Sequence, residues 1–149
     1  MRVESKRCLE ASRDTVWQVV SDPRRYAEFM DGLVFAEVVG KEATGLGARW
    51  SIRLMVGAAA LGGTVEVVEY DEPADLAWNG VTGIALRGRW RLRERGEGRT
   101  EVTYRLAYQA PGGLSGLIAD RVAAPLVKRR LDRTLRQLAA VTEMARSTA

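Results

Sequence analysis

A chain of 149 residues, 46% hydrophobic and 28% charged, is long enough to fold as one domain around a real core. Its 23 basic and 19 acidic residues are interspersed, so the net charge of +4 describes a mildly basic surface and excludes a polycationic tail. Histidine is absent, which removes Ser-His-Asp and Cys-His nucleophile systems, imidazole general bases and histidine metal sites together.

Twenty of the 23 bases are arginine, a bias that reads first as a GC-rich genome and second as selection for phosphate forks. The single cysteine, Cys8, excludes an internal disulfide framework and suits a reducing compartment. No cysteine cluster or carboxylate-rich loop offers a metal site, and no cofactor fingerprint is present. GLG at 45–47 lacks the third glycine of a dinucleotide motif and leads into a strand, so it reads as a turn. The opening MRVESKRCLEASRD is charged throughout and offers no apolar signal core. The uncharged run LMVGAAALGG is about half the length needed to cross a bilayer. A soluble, cytoplasmic protein without a membrane span is expected.

In chain order, RVESKRCLE has the extended character of a first strand. SRDTVWQVVSD follows as a helix, with Ser12 as its cap and Val16, Trp17, Val19 and Val20 on its apolar side. DPRRYAEFM predicts a second short helix, capped by Asp22 with Pro23 in its first position. Tyr26, Phe29 and Met30 share one face of it. From Leu33 to Tyr108 the period changes to two. LVFAEVVG, ARWSIRLMV, GTVEVVEY, DLAWNGV, ALRGRWRLRE and TEVTYRLAY are six strands separated by turn residues. Their close succession predicts an antiparallel meander. After PGG at 111–113 the pattern is helical to the end, with Pro125 placed to kink or interrupt the helix.

Alternation along the strands sorts side chains onto two faces. In RGRWRLRERG (87–96), Arg87, Arg89, Arg91 and Arg93 share one face, and Gly88, Trp90 and Leu92 the other. Arg49, Ser51 and Arg53 oppose Trp50, Ile52 and Leu54; Thr103 and Arg105 oppose Val102, Tyr104, Leu106 and Tyr108. The aromatics that would stack on bases lie on the wrong face for a nucleic-acid platform. Glu66, Glu69, Glu94 and Glu101 can neutralise arginines across strands. The arginine face is therefore read as solvated, and no nucleic-acid partner is favoured.

This order of elements resembles the helix-grip fold of the START-like, or Bet v 1-like, superfamily, which includes bacterial polyketide cyclase/dehydrase and lipid-transport proteins. ASRDTVWQVVSDPRRYAEFM (11–30) looks like its opening two-helix segment, VEVVEYDEPADLAW (65–78) like its central hairpin, and PGGLSGLIADRVAAPLVKRRLDRTLRQLA (111–139) like its final helix. The resemblance implies an α+β domain over residues 1–149. A seven-stranded curved antiparallel sheet would wrap around a long C-terminal helix, with two short helices between strands 1 and 2. It also implies a deep apolar cavity between sheet and helix, reached near the N-terminal half of that helix. The ligand would be a hydrophobic small molecule such as a lipid, isoprenoid or polyketide, carried by a monomer or homodimer without metal or cofactor.

Parity and order place Trp50, Ile52, Leu54, Trp78, Trp90, Tyr104 and Tyr108 on the sheet side of that cavity, and Leu114, Leu117, Ile118 and Arg121 on the helix side. Tyr104, Tyr108, Asn79 and Arg121 are its polar candidates, although Arg121 can equally pair with Asp120 or point outward. The alternative is that the aromatics simply fill the space. No acid/base pair emerges, so no catalytic residue is assigned. A cofactor-free polyketide aromatase/cyclase acting in the same cavity is the second reading, and an outer-face module for RNA or protein the third.

Overall fold

The structure, a computed structural model, describes the backbone of residues 2–56, 58–81, 86–108 and 113–148; the side chains at 56, 59, 61, 113–123 and 145–148 lie outside that description. Strand β1 (Arg2–Leu9) leads into helix α1 (Arg13–Val20) and a single 3₁₀ segment, Pro23–Glu28. Six strands follow: β2 (Leu33–Val39), β3 (Arg49–Val56), β4 (Ala59–Asp71), β5 (Asp75–Gly80), β6 (Leu86–Glu94) and β7 (Thr100–Tyr108). Helix α2 (Gly113–Thr148) closes the chain. The strands form one antiparallel sheet in the order β1-β7-β6-β5-β4-β3-β2, a meander from β2 to β7 with β1 added beside β7. The curled sheet gripping a long helix is the helix-grip fold.

Local chemistry sets the helical boundaries. Ser12 caps α1, its hydroxyl accepting from the Thr15 amide at 3.2 Å. The Asp22 carboxylate accepts from the Arg24 amide at 2.9 Å, with Pro23 in the first turn. The second short helix is 3₁₀ rather than α. Six residues give too few i→i+4 bonds to favour the wider turn. It is pinned instead by the Tyr26 hydroxyl, which donates to the Val20 carbonyl at 2.7 Å. Strand β4 begins at Ala59, earlier than its sequence suggests, because Val56 to Ala59 closes a tight hairpin with β3. An Ala/Gly run has no alternation to reveal such a strand.

Pro125 does not end the last helix, which runs unbroken from Gly113 to Thr148. One missing amide removes one hydrogen bond, and the turns on either side carry the helix through. Beyond Pro125 its apolar stripe is Val127, Leu131, Leu135, Leu138 and Ala139, all buried. Polar contacts fix the same half. Asp132 accepts from the Ser5 hydroxyl of β1 at 2.5 Å, the Thr134 hydroxyl accepts from the Asp31 amide at 3.1 Å, and Arg130 pairs with Asp31 at 2.9 Å. Asp31 precedes Gly32, whose φ of 79° turns the chain into β2. A Cβ there would press on the Met55 carbonyl at 2.7 Å.

The two faces of the sheet follow the alternation. Trp50, Ile52, Leu54, Trp90, Leu92, Val102, Tyr104 and Leu106 are buried, whereas Arg49, Arg53, Arg87 and Arg91 are exposed. Ion pairs cross the outer face: Arg49–Glu66 at 3.1 Å, Arg89–Glu69 at 2.6 Å, Arg95–Glu101 at 3.1 Å and Arg105–Glu4 at 3.1 Å. Asp75, which the sequence pattern did not single out, takes both Arg91 at 3.4 Å and Arg93 at 3.1 Å. Thr103 departs from the expected wet face: it is buried, lying between the cross-strand neighbours Lys6 and Arg91.

Candidate functional site: the aromatic inner face

Strand register brings the inner-face residues together. Trp90 and Tyr104 are direct cross-strand partners, and their rings stack at 4.0 Å with planes 6° apart. Phe29 meets Trp90 edge-on at 6.0 Å, and Tyr26 meets Trp50 edge-on at 5.7 Å. The 3₁₀ segment and its cap thus drive two aromatic rings into the sheet. Sequence reasoning placed Tyr26 and Phe29 on one face of a short helix but left them out of the site. The signal was that shared face, which had nothing to pack on except the inner sheet.

All seven sheet-side candidates described above, Trp50, Ile52, Leu54, Trp78, Trp90, Tyr104 and Tyr108, are buried on this face. Asn79 is not. It follows Trp78 on β5, so alternation turns it to the outer face, where it is exposed opposite Arg87 and Glu66. The helix-side candidates Leu114, Leu117, Ile118 and Arg121 fall within α2, and their side chains lie outside the described residues.

The polar tips on this face differ in their partners. The Trp50 indole donates to the Ala43 carbonyl at 2.8 Å. The Trp78 indole nitrogen is buried and has no hydrogen-bond partner among the described residues. That of Trp90 lies beside the Tyr26 hydroxyl without reaching hydrogen-bond geometry. Burial pushes the Tyr104 phenol well above its ordinary value. Burial, then the nearby Tyr104, does the same to Tyr26 against the opposing influence of Trp90. Both phenols are protonated at neutral pH, so they act as hydrogen-bond donors and not as bases.

Among the described residues no charged side chain is buried, and no group of three or more carboxylates and cysteines is placed to hold a metal ion. Beneath the second half of α2 the described side chains Val127, Leu131, Leu135, Leu138 and Ala139 are buried against the sheet side. A hole of about 20 Å³ remains between Leu54, Tyr104, Leu106, Met30, Val127 and Leu131, enough for about one water molecule.

The match to known families now decides what kind of protein this is. Residues 1–143 match the family model described as "Polyketide cyclase / dehydrase and lipid transport". The chain belongs to that family. Among solved structures it is similar to TTHA0849 from Thermus thermophilus, with a TM-score of 0.83, 19% identity, and coverage of 97% of this chain and 99% of that one. A START superfamily protein from Mycobacterium smegmatis aligns with a TM-score of 0.78 at 13% identity, covering 97% and 98% of the two chains. The Zhui aromatase/cyclase from Streptomyces sp. R1128 aligns with a TM-score of 0.76 at 20% identity, covering 96% and 93%. These likenesses establish the shared fold. No curated protein matches the chain. Among the described residues no helix is long and apolar enough to cross a membrane.

Proposed function

We propose that this family member binds a hydrophobic small molecule, a lipid, isoprenoid or polyketide, against the inner face of its sheet. The observation that carries the reading is an aromatic inner face that buries no charged side chain, and on which the buried Trp78 indole N–H has no partner, among the described residues. A buried donor without an acceptor is costly, and a ligand oxygen would relieve that cost. The favoured ligand is therefore apolar over most of its surface and carries at least one carbonyl or hydroxyl oxygen. Apolar burial at roughly 25 cal/mol per Å² would supply the affinity.

A small-molecule chamber needs about 300–1,000 Å³. The hole beneath Val127–Thr134 offers far less. The reading accordingly puts the ligand under the first half of α2, between Trp78 and Tyr108 on the sheet and Leu114, Leu117, Ile118 and Arg121 on the helix.

Mass spectrometry of the protein purified without detergent tests this reading. A stoichiometric hydrophobic compound released by organic extraction supports it; an empty protein that also fails to take up a neutral fluorescent hydrophobe would end it. A second reading, an aromatase/cyclase, draws on Tyr104, a buried phenol held in its donating form beside the inner face. In that case the hydroxyl would hydrogen-bond a substrate carbonyl during cyclisation, and Tyr104→Phe would alter the product pattern from a poly-β-ketone.

A further inference from the structure

The outer face of the sheet holds a hollow of about 430 Å³, lined by four arginines and by Glu69. Its floor is made of small residues: Ala77 on β5, Ala107 on β7 and the backbone of Gly88 on β6. Four arginines rise around it, Arg2, Arg87, Arg89 and Arg105. Arg89 is held by Glu69 and Arg105 by Glu4. Arg2 and Arg87 are exposed and have no ion pair among the described residues. Ala107 is the cross-strand partner of both, so the two free guanidiniums flank one methyl group from opposite sides. Strands spaced about 4.8 Å apart place their Cα atoms roughly 10 Å from each other. Two arginine side chains easily converge on one anion over that span.

We propose that this hollow binds a small phosphorylated molecule, a phosphomonoester or diphosphate, with Arg2 and Arg87 as its forks. Two uncompensated guanidiniums match the roughly two charges of a phosphomonoester and most of a diphosphate's, and planar forks suit phosphate oxygens. The Asn79 side chain, in the next strand beside Arg87, lines the hollow as a further polar contact. The body of the molecule rests against Ala77 and Val68, the latter 44% exposed at the rim. The hollow's volume lies within the range of small-molecule sites. An extended nucleic-acid track fits less well. Glu66, Glu69, Asp75 and Glu4 alternate with the arginines of this face and would repel a continuous phosphate backbone.

The test is calorimetric titration with inorganic pyrophosphate and with phenyl phosphate, using phenol as the uncharged control. Saturable binding of both phosphates is expected, weakened at least about tenfold by Arg2→Gln or Arg87→Gln. Arg49→Gln, a paired arginine on the same face but outside the hollow, should leave it unchanged, and circular dichroism checks that each variant is folded. Absence of saturable binding overturns the proposal. So does an equal loss in Arg49→Gln, or binding confined to an RNA oligonucleotide with steep salt dependence, which would make the face a nucleic-acid surface.

Discussion

Trp78 packs against Gly88, its direct partner across the β5–β6 pair, so closely that a Cβ at position 88 would overlap the indole ring. The glycine between Arg87 and Arg89 is therefore a packing requirement. It lets the largest side chain of β5 fold over its neighbour on the inner face. Gly88→Ala is expected to destabilise the protein by about 1–3 kcal/mol, as overpacking does. Urea denaturation measures the loss. A stability equal to that of the parent chain would mean the indole moves aside freely.

The second half of α2 is a core element. Leu135 is 1% exposed beneath it, and Leu135→Ala should cost about 2–5 kcal/mol, read from the same denaturation curves. Leu117→Trp, in the first half, should instead weaken hydrophobe binding at little cost in stability. The two variants separate a structural half of the helix from a ligand-facing half.

The face assignment was largely legible in the sequence, for a physical reason: strict alternation of arginine with tryptophan, isoleucine and leucine admits only one way to bury the apolar set. Where alternation is absent, as in the Ala/Gly start of β4, the strand was hidden. Asn79 was misplaced as a pocket residue although its neighbour Trp78 had already fixed its parity. The filling of the inner face by Tyr26 and Phe29 was not legible, because only tertiary packing reveals where a short helix inserts its aromatics.

The outer arginines should be separable from the inner face. Arg87, Arg89 and Arg91 changed together to glutamine are expected to leave affinity for the neutral probe N-phenylnaphthylamine within about threefold, since exposed and screened charges act weakly through a sheet. Fluorescence titration decides it. Loss of probe binding by a folded triple variant would reverse the roles of the two faces.

Acid should loosen the anchor between β1 and α2. Partial burial raises the Asp132 carboxyl, but hydrogen bonds from Ser5 and Lys128 and the charges of Lys128 and Arg136 outweigh it and hold the group below its ordinary value of 3.8. The Arg24 side chain likewise lowers Asp22, and Arg25 lowers Glu28. A depressed carboxylate stabilises the fold fully above its unfolded pKa, and that contribution disappears as pH falls through the folded one. Stability should thus drop below about pH 4. Asp132→Asn should show a shallower acid limb when denaturation midpoints are followed down in pH. An unchanged limb would remove Asp132 from the acid response.

Hydrogen exchange along α2, with and without saturating N-phenylnaphthylamine, tests most directly the claim that the ligand lies between the sheet and the first half of this helix. The amides of residues 113–124 should exchange faster than those of 127–140 in the free protein and become protected when the probe binds. Binding of the probe with protection confined to 127–140, or to the outer strands, would contradict the account.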